Sequence, residues 1–163
     1  KDIESLSPHL LPPDFTAAAR NNNKQVMKNN SGMFLPSNST LTKLTRKQLF
    51  SQDLFNQIGC PWWCHSWSKQ NTPSFLLSKY NYNDFYAPHF DYAMFTALVW
   101  LYKKPKPFKG GNLIFSDYAI TIECRSNCGV IFFGTQKHEV TPVEGSGRYT
   151  LSMFTQCLDP DLK

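Results

Sequence analysis

The stretch "YAPHFDYAMFTALVWLY", residues 86–102, decides how this chain is read. It holds one imidazole, His89, and one carboxylate, Asp91, in a run that is otherwise apolar or aromatic, with no charged residue between Asp91 and Lys103. Residues two apart in a strand share a face, so a strand over 87–92 projects His89 and Asp91 to one side and packs Phe90 on the other. Pro88 favours this by holding Ala87 in an extended conformation. Unpaired in a core, each such group costs on the order of several kcal/mol. A shared divalent metal satisfies both.

Outward from this segment the pattern is β. Runs rich in Phe, Tyr, Leu, Ile, Val and Thr span 75–82, 87–92, 95–102, 111–116, 119–124, 129–133, 138–143 and 147–156, separated by "KPKPFKGG", "SDY", "RSNCG" and "VEGSG". Short strands joined by tight turns predict a β-sandwich or jelly-roll barrel. The first 74 residues differ in character: Leu41, Leu44, Leu49, Phe50, Leu54, Phe55 and Ile58 follow Asn, Ser and Thr cap candidates, as in one or two amphipathic helices that stop at Gly59 and Pro61. Pro8, Pro12 and Pro13 mark an irregular start, and "NNNK" before "VMKNNSGMFL" reads as a turn and a strand. The expected fold is therefore mainly β with flanking helices, an α+β class. It forms one domain over 1–163, with 1–74 as helical or irregular support and 75–156 as the β core.

Composition agrees with one sizeable core: of 163 residues, 41% are hydrophobic, 15% aromatic and 18% charged. No apolar run approaches the roughly 18 residues of a membrane helix, so a soluble chain with no membrane partner is expected, cytoplasmic by default. The net charge of +5 is spread over scattered lysines, which keeps a nucleic-acid partner as a minor alternative. Five cysteines cannot all pair within the chain. "CPWWC" and "CRSNC", with His65, leave open a zinc site, a disulfide or ordinary thiols.

Two imidazoles and one carboxylate make the facial donor set of non-haem Fe(II) oxygenases, so a second histidine is needed from another inward-facing strand. His138, at the head of the strand after "VIFF", fits. Arg148 enters the alternating strand "RYTLSMF". A buried guanidinium there is costly unless it meets a carboxylate, which its planar fork can grip with two hydrogen bonds. Thr150 and Ser152 share its face. Together they suggest a pocket for one end of a small dicarboxylate.

"YNYNDFYAPHFDY", "FKGGNLIF" and "HEVTPVEGSGRYTLSMF", in that order, resemble the catalytic domain of Fe(II)- and 2-oxoglutarate-dependent dioxygenases of the prolyl 4-hydroxylase type over residues 75–156. "NNSGMFL" resembles an upstream strand of that family. The resemblance implies a double-stranded β-helix with the N-terminal helices packed outside. His89, Asp91 and His138 would be the iron ligands, and Arg148 would hold the distal carboxylate of 2-oxoglutarate. Tyr80, nine residues before His89, would hydrogen-bond that carboxylate, with Thr150 and Ser152 as further lining. The implied cofactors are Fe(II), 2-oxoglutarate and O2, with ascorbate as an additional candidate. The retained Asp91 argues for hydroxylation over halogenation.

The implied substrate is a peptide or a small molecule, foremost a prolyl group or free amino acid. An oxidase of methylated nucleic-acid bases is the alternative, because relatives of that kind share the short gap between Asp91 and His138. A non-catalytic binding module ranks third. The chain departs from the family at "NYND", where a turn glycine is usual. Trp62, Trp63 and Trp67 read as a plug over one barrel end or as a substrate platform. His9 and His65 read as structural or exposed.

Overall fold

Two serines set where the helical layer begins. The hydroxyls of Ser39 and Ser51 each accept a hydrogen bond from a backbone N–H three residues on, Thr42 and Leu54, at 3.2 Å. The computed structural model describes residues 3–156. Short 3-10 turns lead to β1 (Ser31–Leu35), followed by α1 (Thr40–Leu49), α2 (Gln52–Ile58) and α3 (Pro61–Ser68). The β part comprises β2 (Asn71–Tyr80), β3 (Tyr86–His89), β4 (Phe95–Leu101), β5 (Phe108–Gly110), β6 (Leu113–Phe115), β7 (Ile120–Ile122), β8 (Cys128–Phe133), β9 (His138–Val140), β10 (Val143–Gly145) and β11 (Arg148–Gln156).

Gly59, at φ +65°, closes α2 as expected, but Pro61 starts a third helix rather than ending the helical part. Proline at a first helical position loses no hydrogen bond, so it is a start signal as much as a stop. "CPWWC" therefore lies on α3.

All strand pairs are antiparallel, in a five-stranded sheet ordered β1-β2-β11-β4-β8, a four-stranded sheet ordered β3-β9-β6-β7, and the pair β10-β5. This is a jelly roll with helices outside, as the sequence predicts. The period of two splits the large sheet into two faces. Phe75, Phe95, Ala97, Leu151 and Met153 pack with Trp67 against the helices. Tyr80, Leu98, Trp100 and Phe132 point the other way and share a core with Leu113, Phe115, Val140 and Val143 of the smaller sheets.

The tryptophans do not plug the barrel. Trp67 is fully buried against the outer face, donates from its indole to Leu49 O at 2.7 Å, and stacks on Phe50 and Trp63. Trp62 is exposed. No helix among the described residues is long and apolar enough to cross a membrane.

Several strand boundaries differ from expectation. Pro142 falls between β9 and β10, and the turn cluster "KPKPFKGG" itself supplies β5, the partner of β10. The strand expected over 87–92 ends at His89, because the Asp91 N–H donates to Gly134 O instead of to a neighbouring strand. Phe90 consequently is 58% exposed rather than packed on a far face.

Candidate metal centre

His89 and His138 stand opposite each other in the β3–β9 register, with ring centroids 4.2 Å apart. Asp91 reaches the same point from beyond the end of β3. The turn that carries it is held at Gly134, where a Cβ would lie 2.1 Å from Ala93 O, so no other residue fits without a shift. Asp91 Oδ1 is 3.6 Å from His89 Nε2 and Oδ2 is 3.5 Å from His138 Nε2.

The hydrogen bonds set the tautomers. His89 Nδ1 lies 2.8 Å from Ala87 O, and His138 Nδ1 lies 2.8 Å from Gln136 O. A carbonyl only accepts, so each Nδ1 carries a proton and each ring turns its Nε2 toward Asp91. Burial lowers the His89 pKa from 6.5 to about 3, aided by the charge of His138, so His89 is neutral near pH 7 and its approach to Asp91 is not an ion pair. Burial raises the Asp91 pKa, opposed by His138, by a hydrogen bond from Thr96 and by Lys28.

Such an arrangement suits a shared cation. The donor atoms lie within 4.8 Å of one another, and two donors at right angles about 2.1 Å from one ion sit about 3 Å apart. Two imidazoles and a carboxylate match Fe(II) in kind and number. No other group of three or more metal-competent side chains occurs among the described residues. Cys60, Cys64, Cys124 and Cys128 are free thiols, and Cys157 lies outside the described residues.

Arg148 occupies the wall of the same cavity and is 1% exposed. Its Nε donates to Gly111 O at 2.9 Å, one terminal nitrogen donates to Thr150 Oγ1 at 2.7 Å, and its guanidinium lies 4.3 Å from the Tyr80 ring centroid. No carboxylate among the described residues pairs with it. A desolvated guanidinium without a counter-charge calls for an anionic ligand. The Gly-Gly pair explains how it fits: Gly111, at φ +65°, has no room for a Cβ, which would lie 2.5 Å from Arg148 Cδ.

All seven sequence-predicted site residues, His89, Asp91, His138, Arg148, Tyr80, Thr150 and Ser152, line this one cavity. His9 and His65 are exposed and elsewhere. Sequence reasoning missed Lys28, Asn30 and Tyr86 on the cavity wall, and Thr96 behind Asp91. Tyr86 stacks on His89 with centroids 3.4 Å apart. Its place in the opening segment was the available signal.

The family model of the 2OG-Fe(II) oxygenase superfamily matches residues 75–156, and the chain belongs to that superfamily. It is a dioxygenase whose cofactors are Fe(II), 2-oxoglutarate and O2. No curated protein matches its sequence. A Pseudomonas putida prolyl-4-hydroxylase structure superposes with TM-score 0.61 at 15% identity, covering 94% of this chain and 80% of that one. A collagen prolyl hydroxylase of Paramecium Bursaria Chlorella virus-1, complexed with 2-oxoglutarate, gives TM-score 0.57 at 12% identity, covering 79% of each. A Trichoplax adhaerens prolyl hydroxylase holding a peptide fragment of the hypoxia-inducible factor degradation domain gives 0.56 at 12%, covering 83% and 68%. At these identities the likeness concerns the fold.

Proposed function

We propose that this dioxygenase hydroxylates a C–H bond of a prolyl group, in a peptide or as the amino acid, with His89, Asp91 and His138 holding Fe(II) and Arg148 holding the distal carboxylate of 2-oxoglutarate. One observation carries the reading: three donors within 4.8 Å share a cavity with a buried guanidinium that no described carboxylate pairs. Iron held there would supply, with 2-oxoglutarate and O2, the oxidation of the C–H bond, 2-oxoglutarate being converted to succinate and CO2.

The protein's own part is to orient and to exclude water. Ala87 O and Gln136 O keep both imidazoles in the ligating tautomer, and Thr96 Oγ1 donates to Asp91 Oδ2 at 2.6 Å to fix the carboxylate. His89, Asp91 and His138 would hold the ion by three protein donors and leave its remaining coordination to co-substrate and O2. Gly111 O, Thr150 Oγ1 and the Tyr80 ring preset the guanidinium, so little side-chain freedom remains to be lost on binding. Leu76, Leu98, Val140 and Phe154 give the cavity apolar walls.

Prolyl hydroxylases among the structural neighbours support the substrate class, and the Trichoplax one is bound to a peptide. Phe90 and Tyr92, which flank Asp91 in the chain, are exposed aromatics of the kind on which prolyl rings dock. The test incubates Fe(II)-loaded protein and 2-oxoglutarate with free proline, proline peptides and methylated oligonucleotides. Succinate is quantified, and products are weighed for one added oxygen atom. Succinate matched by an oxygen on the prolyl substrate is expected; oxidation of the oligonucleotide alone would overturn the substrate assignment.

A further inference from the structure

The roles proposed above leave one wall of the cavity unused, formed by Lys28 and Asn30. Both are buried, at 3% and 1% exposure, and both line the space shared by His89, Asp91, His138 and Arg148. They alternate in the segment before β1, where Lys28 bridges to Tyr86 of β3. Lys28 Nζ lies 5.5 Å from the Phe15 ring centroid and 5.3 Å from that of Tyr86, and no hydrogen-bond or ion-pair acceptor meets it among the described residues. Asn30 presents the opposite deficit: its Nδ2 donates to Ser31 O at 3.3 Å, but its buried Oδ1 receives no donor. A donor without an acceptor and an acceptor without a donor thus line one cavity.

Charge narrows what fills them. The charged groups lining the cavity are Lys28, Asp91 and Arg148. Asp91, the one carboxylate among them, faces the two imidazoles, and no ion pair joins it to Lys28. A buried cation without a partner calls for an anion or strong acceptor.

We propose that Lys28 receives the carboxylate of the substrate and Asn30 Oδ1 an N–H of its ammonium group, so that the site selects a free amino or imino acid. This rests on the reading above that Arg148 serves the co-substrate. A prolyl group inside a peptide offers a neutral carbonyl and no N–H of its own, which leaves Lys28 uncompensated and Asn30 Oδ1 unfilled.

The test measures binding rather than turnover, on Mn(II)-loaded protein saturated with 2-oxoglutarate. Paramagnetic relaxation of probe protons is recorded for L-proline, L-prolinamide, propionate and propionamide, with wild-type protein and with Lys28→Met, Lys28→Arg and Asn30→Leu. Wild type should favour each acid over its amide by roughly tenfold or more, the scale of a charge-assisted hydrogen bond. Lys28→Met should abolish that preference, Lys28→Arg should keep it, and Asn30→Leu should weaken L-proline while sparing propionate. Equal relaxation of acids and amides in wild type overturns the proposal, and this comparison holds even where Lys28→Met fails to fold. Undiminished propionate binding by folded Lys28→Met overturns it as well. Lys28-dependent binding of propionate with none of L-proline would uphold the carboxylate subsite and remove the prolyl reading.

Discussion

Thr96 Oγ1 donates a 2.6 Å hydrogen bond to Asp91 Oδ2, tying β4 to a carboxylate that stands beyond the end of β3. The backbone at Asp91 follows no strand, so this bond and the Asp91 N–H to Gly134 O bond at 2.9 Å together aim the carboxylate between the two imidazoles.

Thr96→Val keeps the shape of this fully buried residue and removes the donor. Metal affinity should fall roughly ten- to a hundredfold, the usual loss when a ligand's outer hydrogen-bond partner is removed. Mn(II) titration measures this, with thermal unfolding as the control for folding. Wild-type affinity in a folded Thr96→Val protein would show that Asp91 is oriented by other contacts.

Arg148→Ala should weaken 2-oxoglutarate binding by roughly a hundredfold or more, because breaking a buried pair costs about 3–5 kcal/mol. Arg148→Lys should fall between, since an ammonium keeps the charge but not the planar fork. Gly111→Ala should resemble Arg148→Ala, because its Cβ would lie 2.6 Å from Arg148 Nε and displace the guanidinium. Co-substrate titration with metal content measured in parallel checks all three. Loss of metal with unchanged 2-oxoglutarate affinity would make Arg148 structural.

Acid should destabilise the metal-free protein through His89. Burial holds its folded pKa at about 3, against 6.5 unfolded, so the unfolded chain takes up the proton first. Stability from this residue is complete above about pH 6.5 and drains away as pH falls toward about 3. Asp91 acts oppositely: its raised pKa means that acidification relieves a cost carried at neutral pH. His89→Gln removes only the first contribution, so its unfolding free energy should decline less than wild type between about pH 6.5 and pH 4. Urea unfolding of chelator-treated protein across that range is the measurement. Identical slopes would mean that His89 is not held neutral by burial.

Much of the site was legible because its chemistry sits on short-range patterns. The alternation of β11 placed Arg148, Thr150 and Ser152 on one face, and all three line the cavity. Asp91 was matched to His89 by a period of two, yet the chain leaves the strand after His89 and a contact with distant Gly134 restores the convergence. Lys28 and Asn30 lie in an Asn- and Lys-rich stretch that looks solvated, yet both are buried, and Lys28 pairs with Tyr86 of β3, far away in sequence. Thr96 was hidden because one hydroxyl in an apolar strand carries no period. In "CPWWC" the proline signals a stop and a start alike, and here it starts α3.

Trp67 separates stability from function. It lies on the helix side of the large sheet, opposite the cavity, with no exposed surface. Trp67→Ala should cost about 3–5 kcal/mol of unfolding free energy. Metal and 2-oxoglutarate affinities of the folded protein should stay near wild type. Calorimetric unfolding and ligand titration below the midpoint test this; a selective loss of metal with unchanged stability would contradict the two-faced packing.

The most direct test is a calorimetric Mn(II) titration of metal-free wild-type protein beside His138→Ala. One ion per chain is predicted for wild type. His138→Ala should lose more than the roughly hundredfold that marks removal of an outer partner, because a ligand itself is gone. Equal stoichiometry and affinity in the two proteins would contradict a metal centre built from His89, Asp91 and His138.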